Sequence, residues 1–295
     1  MSERLQSDPA TIRAAMGVEG ERRSGIIHGL DEAAYHSDPA LSSTGARSLL
    51  KSAAKFHYER THPQAGRAAF DVGTAAHTKV LGVGAGVIAY PDEHLTPGGN
   101  VSTKAATMAW AEEQRAKGLT PVSPGQIRAV DEMAESVLAK PEARAILESV
   151  DGREVSLFAD VEGVPSRARF DIYNGVRAGD LKTADDASPA GFNKAVARYG
   201  YHIQDRWYGD THTAITGTEL EPFKFIVVEK SAPYLVGVYD LDFMWEDLAK
   251  ERVKRARDLY RECTESGVWP GYPTATLTPP TWAVYESEEE EIQVS

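Results

Sequence analysis

Cysteine is almost absent. Cys263 is the only one in 295 residues, so no internal disulfide can staple the chain and a multi-cysteine zinc site is excluded. A lone thiol in a charged helical stretch fits a reducing setting, and a cytoplasmic location is expected. Long apolar runs are lacking too: nothing approaches the roughly 18–20 residues a membrane span needs. The opening Met1-Ser2-Glu3-Arg4 leads into polar sequence without an apolar signal core, so no membrane partner is expected. Positive charge is scarce, with 32 Lys and Arg against 44 Asp and Glu and a net charge of −12. That balance argues against a passive coat on a polyanion, because such affinity comes largely from cations at phosphates. Five of the carboxylates, Glu286 and Glu288 to Glu291, lie in the tail with no cation beside them, as in a solvated segment.

What remains is ordinary globular composition, 42% hydrophobic and 26% charged. The length suffices for a sizeable core in one large domain or two small ones. Residues 1–24 are polar and are expected to be partly disordered. A single domain is expected over 25–269, followed by a Pro-rich segment and acidic tail over 270–295. Ser42-Ser43-Thr44 offer N-cap oxygens for a helix in which Ala46, Leu49, Leu50, Ala53 and Phe56 recur at helical spacing. A second helix over Ala68–Leu81 carries Gly73 and His77. A Gly-rich loop with one strand near 86–90 follows, then two or three helices between Thr103 and Leu147. Around Asp151 the pattern turns to strands at 153–160, 164–173 and 176–183. Helices return from Pro189 to about Ala214 with a break at Gly200. Two strands, 222–230 and 234–240, and a long charged helix from Asp242 to about Ser266 complete the chain. Helices, a meander, then helices and strands imply an α/β fold with a mixed sheet.

The meander gathers charge. Asn174-Gly175 is a strong hairpin signal. Taken as a two-residue turn, it sets Asp171 opposite Ala178 and puts Asp171, Asp180 and Lys182 on one face, because side chains alternate along a strand. Two carboxylates so placed can converge on one divalent cation. If Glu162-Gly163 is likewise a two-residue turn, Glu154 faces Asp171 as a third carboxylate. Phosphodiester hydrolysis needs a hard cation on oxygen ligands, and a lysine beside them can position water or steady developing charge. An Asp-x-Lys triplet alone is equally consistent with a surface ion-pair ladder. Likewise, a single histidine on an apolar helix serves the core more often than a metal.

Further stretches resemble the RecE-like (exodeoxyribonuclease VIII) branch of the PD-(D/E)XK nucleases, a phage-type group related to RecB nuclease domains and lambda exonuclease. Tyr35-His36-Ser37-Asp38-Pro39-Ala40-Leu41-Ser42 is similar to the opening motif, and Gly73-Thr74-Ala75-Ala76-His77 to the histidine helix. Arg169-Phe170-Asp171 with Asp180-Leu181-Lys182-Thr183 resembles the catalytic hairpin. Tyr201-His202-Ile203-Gln204 with Tyr208 resembles the Q-x-x-x-Y helix. These motifs fall in the family's order over about residues 25–265. The superfamily often has Glu where this chain has Asp180.

The resemblance implies a restriction-endonuclease-like PD-(D/E)XK core, a mixed central sheet flanked by helices. His77, Asp171 and Asp180 would be metal ligands for Mg²⁺ or Mn²⁺, Lys182 the catalytic lysine, and Glu154 a further acidic member. Gln204 and Tyr208, on one helix face, would line the active site or the DNA path. The implied activity is exonuclease digestion of linear duplex DNA ends, 5′ to 3′, leaving 3′ overhangs for phage-type recombination. Implied partners are DNA ends, a single-strand annealing recombinase and, as an expectation only, a homo-oligomeric ring. A phage-encoded chain would act in the host bacterial cytoplasm. A structure-specific or flap endonuclease, and a non-catalytic DNA-end-binding assembly protein, remain alternatives.

Overall fold

The central strand, Lys224–Glu229, reads KFIVVE, a run with no polar alternation. Both of its faces are buried: Phe225 and Val227 enter one hydrophobic core and Ile226 and Val228 the other. A strand of this kind belongs in the middle of a layered α/β fold. The computed structural model describes residues 23–62, 71–84, 86–150 and 152–280 and has that architecture.

The main sheet runs β1 (Gly25–Ile27), β5 (Gly152–Val161), β6 (Val164–Tyr173), β7 (Ala178–Ala184), β8 (Lys224–Glu229), β9 (Val236–Tyr239). A short β2 (Leu41–Ser42) pairs in parallel with β6. β7 and β8 are parallel and the other neighbours on the path antiparallel, so the sheet is mixed. A separate parallel pair joins β3 (Gly86–Ala89) to β4 (Leu119–Val122).

Helices cover both faces. One layer holds α2 (Ser43–Lys51), α3 (Ala53–Thr61), α8 (Pro189–Tyr199), α9 (Tyr201–Thr216) and α10 (Phe243–Ser266). Their Leu49, Phe56, Val196, Trp207 and Val253 pack on the Phe225 side. The other layer holds α4 (Asp71–Leu81), α6 (Pro124–Ala139) and α7 (Pro141–Glu148), whose Ala75, Ala76, Met133 and Leu147 pack on the Ile226 side. The remaining α-helices of the described residues are α1 (Glu32–Ser37) and α5 (Ala105–Ala116). The parallel step from β7 to β8 requires a crossover, and α8 and α9 supply it. Ser188 caps α8 by accepting from the Gly191 amide at 3.1 Å. Gly200, at φ +69, ends α8 in the left-handed region and lets α9 start at a new angle.

Several expectations need correction. The helix expected to run from Ser43 through Phe56 is broken at Ser52, whose extended backbone ends α2 and whose hydroxyl caps α3 through the Lys55 amide. The Asn174 turn is a four-residue loop, not two. The Asn174 side-chain oxygen accepts from the amides of Val176 and Arg177, which holds those residues out of the ladder. Tyr173 therefore pairs with Ala178 and Ile172 with Gly179, so Asp171 falls opposite Asp180 and not Ala178. The slip is two residues, so every side chain keeps its face. The Glu162-Gly163 turn has the expected register, Val161 opposite Val164. β1, β2 and β4 carry no sequence signal that marked them. Ala68, residues 1–22 and the tail beyond 280 lie outside the described residues. Residues 267–280 form no helix or strand, and Trp269 packs on Phe56 while the Pro270 carbonyl accepts from the Ala54 amide. No helix of the described residues is long and apolar enough to cross a membrane.

Candidate active site

β6 and β7 are paired only at Ile172–Gly179 and Tyr173–Ala178. Past that point the strands part, and side-chain chemistry takes over from the ladder. The Asp171 carboxylate accepts a hydrogen bond from the Leu181 backbone amide at 2.8 Å, bridging the fork. On the far side, β5 is distorted at the level of Asp171: Glu154 has φ +52, and no pair joins it to β6 between Val155–Phe170 and Arg153–Ile172. This left-handed turn at a non-glycine residue is a strained conformation of a kind that clusters at functional sites.

α4 brings the histidine. Its Gly73 lies against β7, where a Cβ would come within 3.3 Å of Thr183 Oγ1. That close approach lets His77 reach the fork. His77 Nε2 lies 2.8 Å from Asp171 Oδ2, and Nδ1 lies 3.2 Å from Glu154 Oε1. Ligand atoms of His77, Glu154 and Asp171 all lie within 4.8 Å of one another, the one such group of three among the described residues. Asp180 is not in that trio. Its carboxylate is taken by the Lys182 ammonium and by the Gln204 amide from α9. Lys182 also sits 4.9 Å from the Tyr201 ring centroid.

The electrostatics follow from burial and like charge. Burial disfavours a charged imidazole, but the charge and hydrogen bond of Asp171, with Glu154 and Asp180 behind, outweigh it and hold His77 at about 9. Burial opposes ionisation of Asp171, yet His77 and Lys182 keep it below the usual carboxylate range. Asp180 is pushed up by burial and then by Asp171, against the pull of Lys182. Lys182, though buried, is held charged by Asp180 and Asp171.

All seven residues singled out from the sequence, His77, Glu154, Asp171, Asp180, Lys182, Gln204 and Tyr208, line one cleft of about 2610 Å³. Tyr208 differs from the others in belonging to the hydrophobic core, its ring lying against Phe170 with centroids 4.7 Å apart. Sequence reasoning gave no role to Arg169, whose Nε donates to Glu154 and whose guanidinium lies 5.4 Å from the Tyr35 ring centroid. Its place two residues before Asp171 was visible, but no spacing rule marks an arginine as the partner of a carboxylate on the next strand. Among the described residues the cleft is lined by eleven Lys and Arg against seven Asp and Glu, so the acidic balance of the whole chain does not extend to this lining.

A mixed sheet between two helical layers, with acidic residues and a lysine where its central strands fork, defines the restriction-endonuclease-like, PD-(D/E)XK class of fold. The family model described as "PDDEXK-like domain of unknown function (DUF3799)" matches residues 42–276, and the chain belongs to that family. Among solved structures, a candidate exonuclease from Eubacterium rectale is similar over 88% of this chain and 98% of its own, with TM-score 0.57 and 14% identity. An alkaline exonuclease from Laribacter hongkongensis aligns over 77% of this chain and 97% of its own, at 13% identity and TM-score 0.26. The first likeness is one of fold, and the second carries no argument. No curated protein matches the sequence.

Proposed function

We propose that this chain is a divalent-metal-dependent DNA exonuclease that hydrolyses phosphodiester bonds from the ends of linear duplex DNA. The observation that carries the proposal is the juxtaposition of the His77–Glu154–Asp171 group with Asp180 and Lys182 at the floor of a cation-lined cleft. The donor set fits a hard or borderline cation: two carboxylates already draw positive charge onto the imidazole between them. Asp171 with His77, and Glu154 or Asp180 beside them, would hold Mg²⁺ or Mn²⁺. When bound, such a cation polarises the phosphate and makes water a better nucleophile at neutral pH.

The chain's own groups have distinct tasks. Lys182 keeps its proton and donates toward the phosphate or the attacking water, while its contact with Asp180 fixes its direction. Gln204 orients Asp180. Arg169 holds Glu154 against His77. The resemblance to the RecE-like branch supports 5′ to 3′ polarity, 3′ overhangs and a role in phage-type recombination beside an annealing protein, in a ring-like oligomer. A single domain over 25–269 is part of the same proposal.

The test is incubation with end-labelled linear duplex and a covalently closed circle in Mg²⁺, Mn²⁺ and EDTA. Metal-dependent loss of the linear form alone is expected, and the labelled end gives polarity. Cutting of the circle would instead indicate a structure-specific endonuclease. Binding to ends without any cleavage would indicate an assembly protein.

A further inference from the structure

The cations of the cleft differ in what they already hold. Arg169 is committed to Glu154, Lys182 to Asp180, Lys230 to Asp185 and Lys117 to Glu113. Arg128, Lys194 and Arg198 are exposed, line the same cleft, and make no hydrogen bond or salt bridge with a carboxylate among the described residues, the charge of Lys194 acting on Asp186 only at longer range. In a chain with twelve more carboxylates than cations, charges left unpaired in a concave surface are available to an anionic ligand.

Their placement is what specifies the ligand. Lys194 and Arg198 stand four apart on α8, hence on one face, and α8 packs through Phe192 and Val196 on the Phe225 side of the sheet. Arg128 is on α6, which packs through Val130 and Met133 on the opposite side. The cleft thus has cations rising from both helical layers, with the fork of β6 and β7 at its floor. A single strand drawn past the carboxylates needs one such wall. Two walls suit a ligand with two phosphate backbones.

We infer that the cleft grips double-stranded nucleic acid with one backbone on the α8 wall, at Lys194 and Arg198, and the other on the α6 wall, at Arg128. This rests on the nucleic-acid reading of the cleft given above and names the residues that hold each backbone. Each phosphate contact removed lowers the slope of log affinity against log salt by about 0.9 for duplex.

The experiment measures binding of a short blunt duplex, and of one of its strands alone, in EDTA by fluorescence anisotropy over a salt series. The proteins are wild type, Lys194→Glu/Arg198→Glu, Arg128→Glu, and Lys51→Glu as a control cation outside the cleft. Far-ultraviolet circular dichroism checks that each variant is folded. The expected result is duplex affinity reduced by about tenfold or more and a shallower salt slope for each wall's variant. Lys51→Glu should have no effect, and the single strand should be sensitive to one wall only. Unchanged duplex binding in either wall's variant would overturn the two-wall grip, as would equal sensitivity of single strand and duplex to both walls. Failure of the wild-type protein to bind any DNA, together with no cleavage of the linear duplex in Mg²⁺ or Mn²⁺, would instead remove the nuclease reading itself.

Discussion

Glu154 reaches His77 from a backbone that L-amino acids rarely adopt, φ +52. Its cost can be separated from its use. Glu154→Ala and Glu154→Gly both delete the carboxylate and should both lose most cleavage. Only glycine relieves the strain, so thermal or urea unfolding should find Glu154→Gly more stable than Glu154→Ala by about 1 kcal/mol; the reverse order would show that no strain is stored there. A second prediction concerns Asp205 on α9. Burial, then the charge of Glu246, push its carboxyl up to about 7. The folded state therefore holds a proton that the unfolded state has released above about pH 4. The group's penalty appears as pH rises from about 4 toward 7 and is complete above that. Asp205→Asn should raise stability by on the order of 2 kcal/mol at pH 8 and have little effect at pH 4. Urea denaturation at the two pH values checks this, and equal effects at both would contradict it.

At the scale of elements, the sheet strands with an internal signal were legible and those without were not. β5, β6 and β8 announce themselves through apolar runs and turn residues, and α8 and α9 through Pro189 and the Gly200 break. β1 and β2 are three and two residues long, held by partners distant in sequence, so no local pattern could reveal them. The loop after β6 was misjudged because Asn174 uses its side chain to close a longer turn. The error spared the site because strand faces repeat every two residues. The join between α4 and β7 is where an element-scale prediction falls. Gly73→Leu would force the helix away from Thr183. It should destabilise the fold by about 1–3 kcal/mol and weaken Mn²⁺ binding through the displaced His77. Unfolding by urea and calorimetric titration with Mn²⁺ measure the two effects, and wild-type values for both would refute the close-approach argument.

For the whole molecule, net charge was the least informative property read from the sequence. A value of −12 conceals a cleft in which cations outnumber carboxylates, because the surplus of carboxylates lies elsewhere in the chain, and pairs such as Arg144–Glu148 and Lys254–Asp258 add nothing to the sum. Linear spacing could bring Asp171, Asp180 and Lys182 together, since adjacent strands encode that. It could not bring Arg169 to Glu154, or separate Asp180 from the His77–Glu154–Asp171 trio, since those depend on where the strands part. The most direct test is single-turnover cleavage of linear duplex DNA in Mn²⁺ by wild-type protein and Lys182→Ala, with Mn²⁺ binding measured on both. Lys182 touches Asp180 but is not among the groups that would hold the metal. The account predicts retained Mn²⁺ binding with a cleavage rate reduced by about 10²-fold or more. An undiminished rate in Lys182→Ala would contradict it.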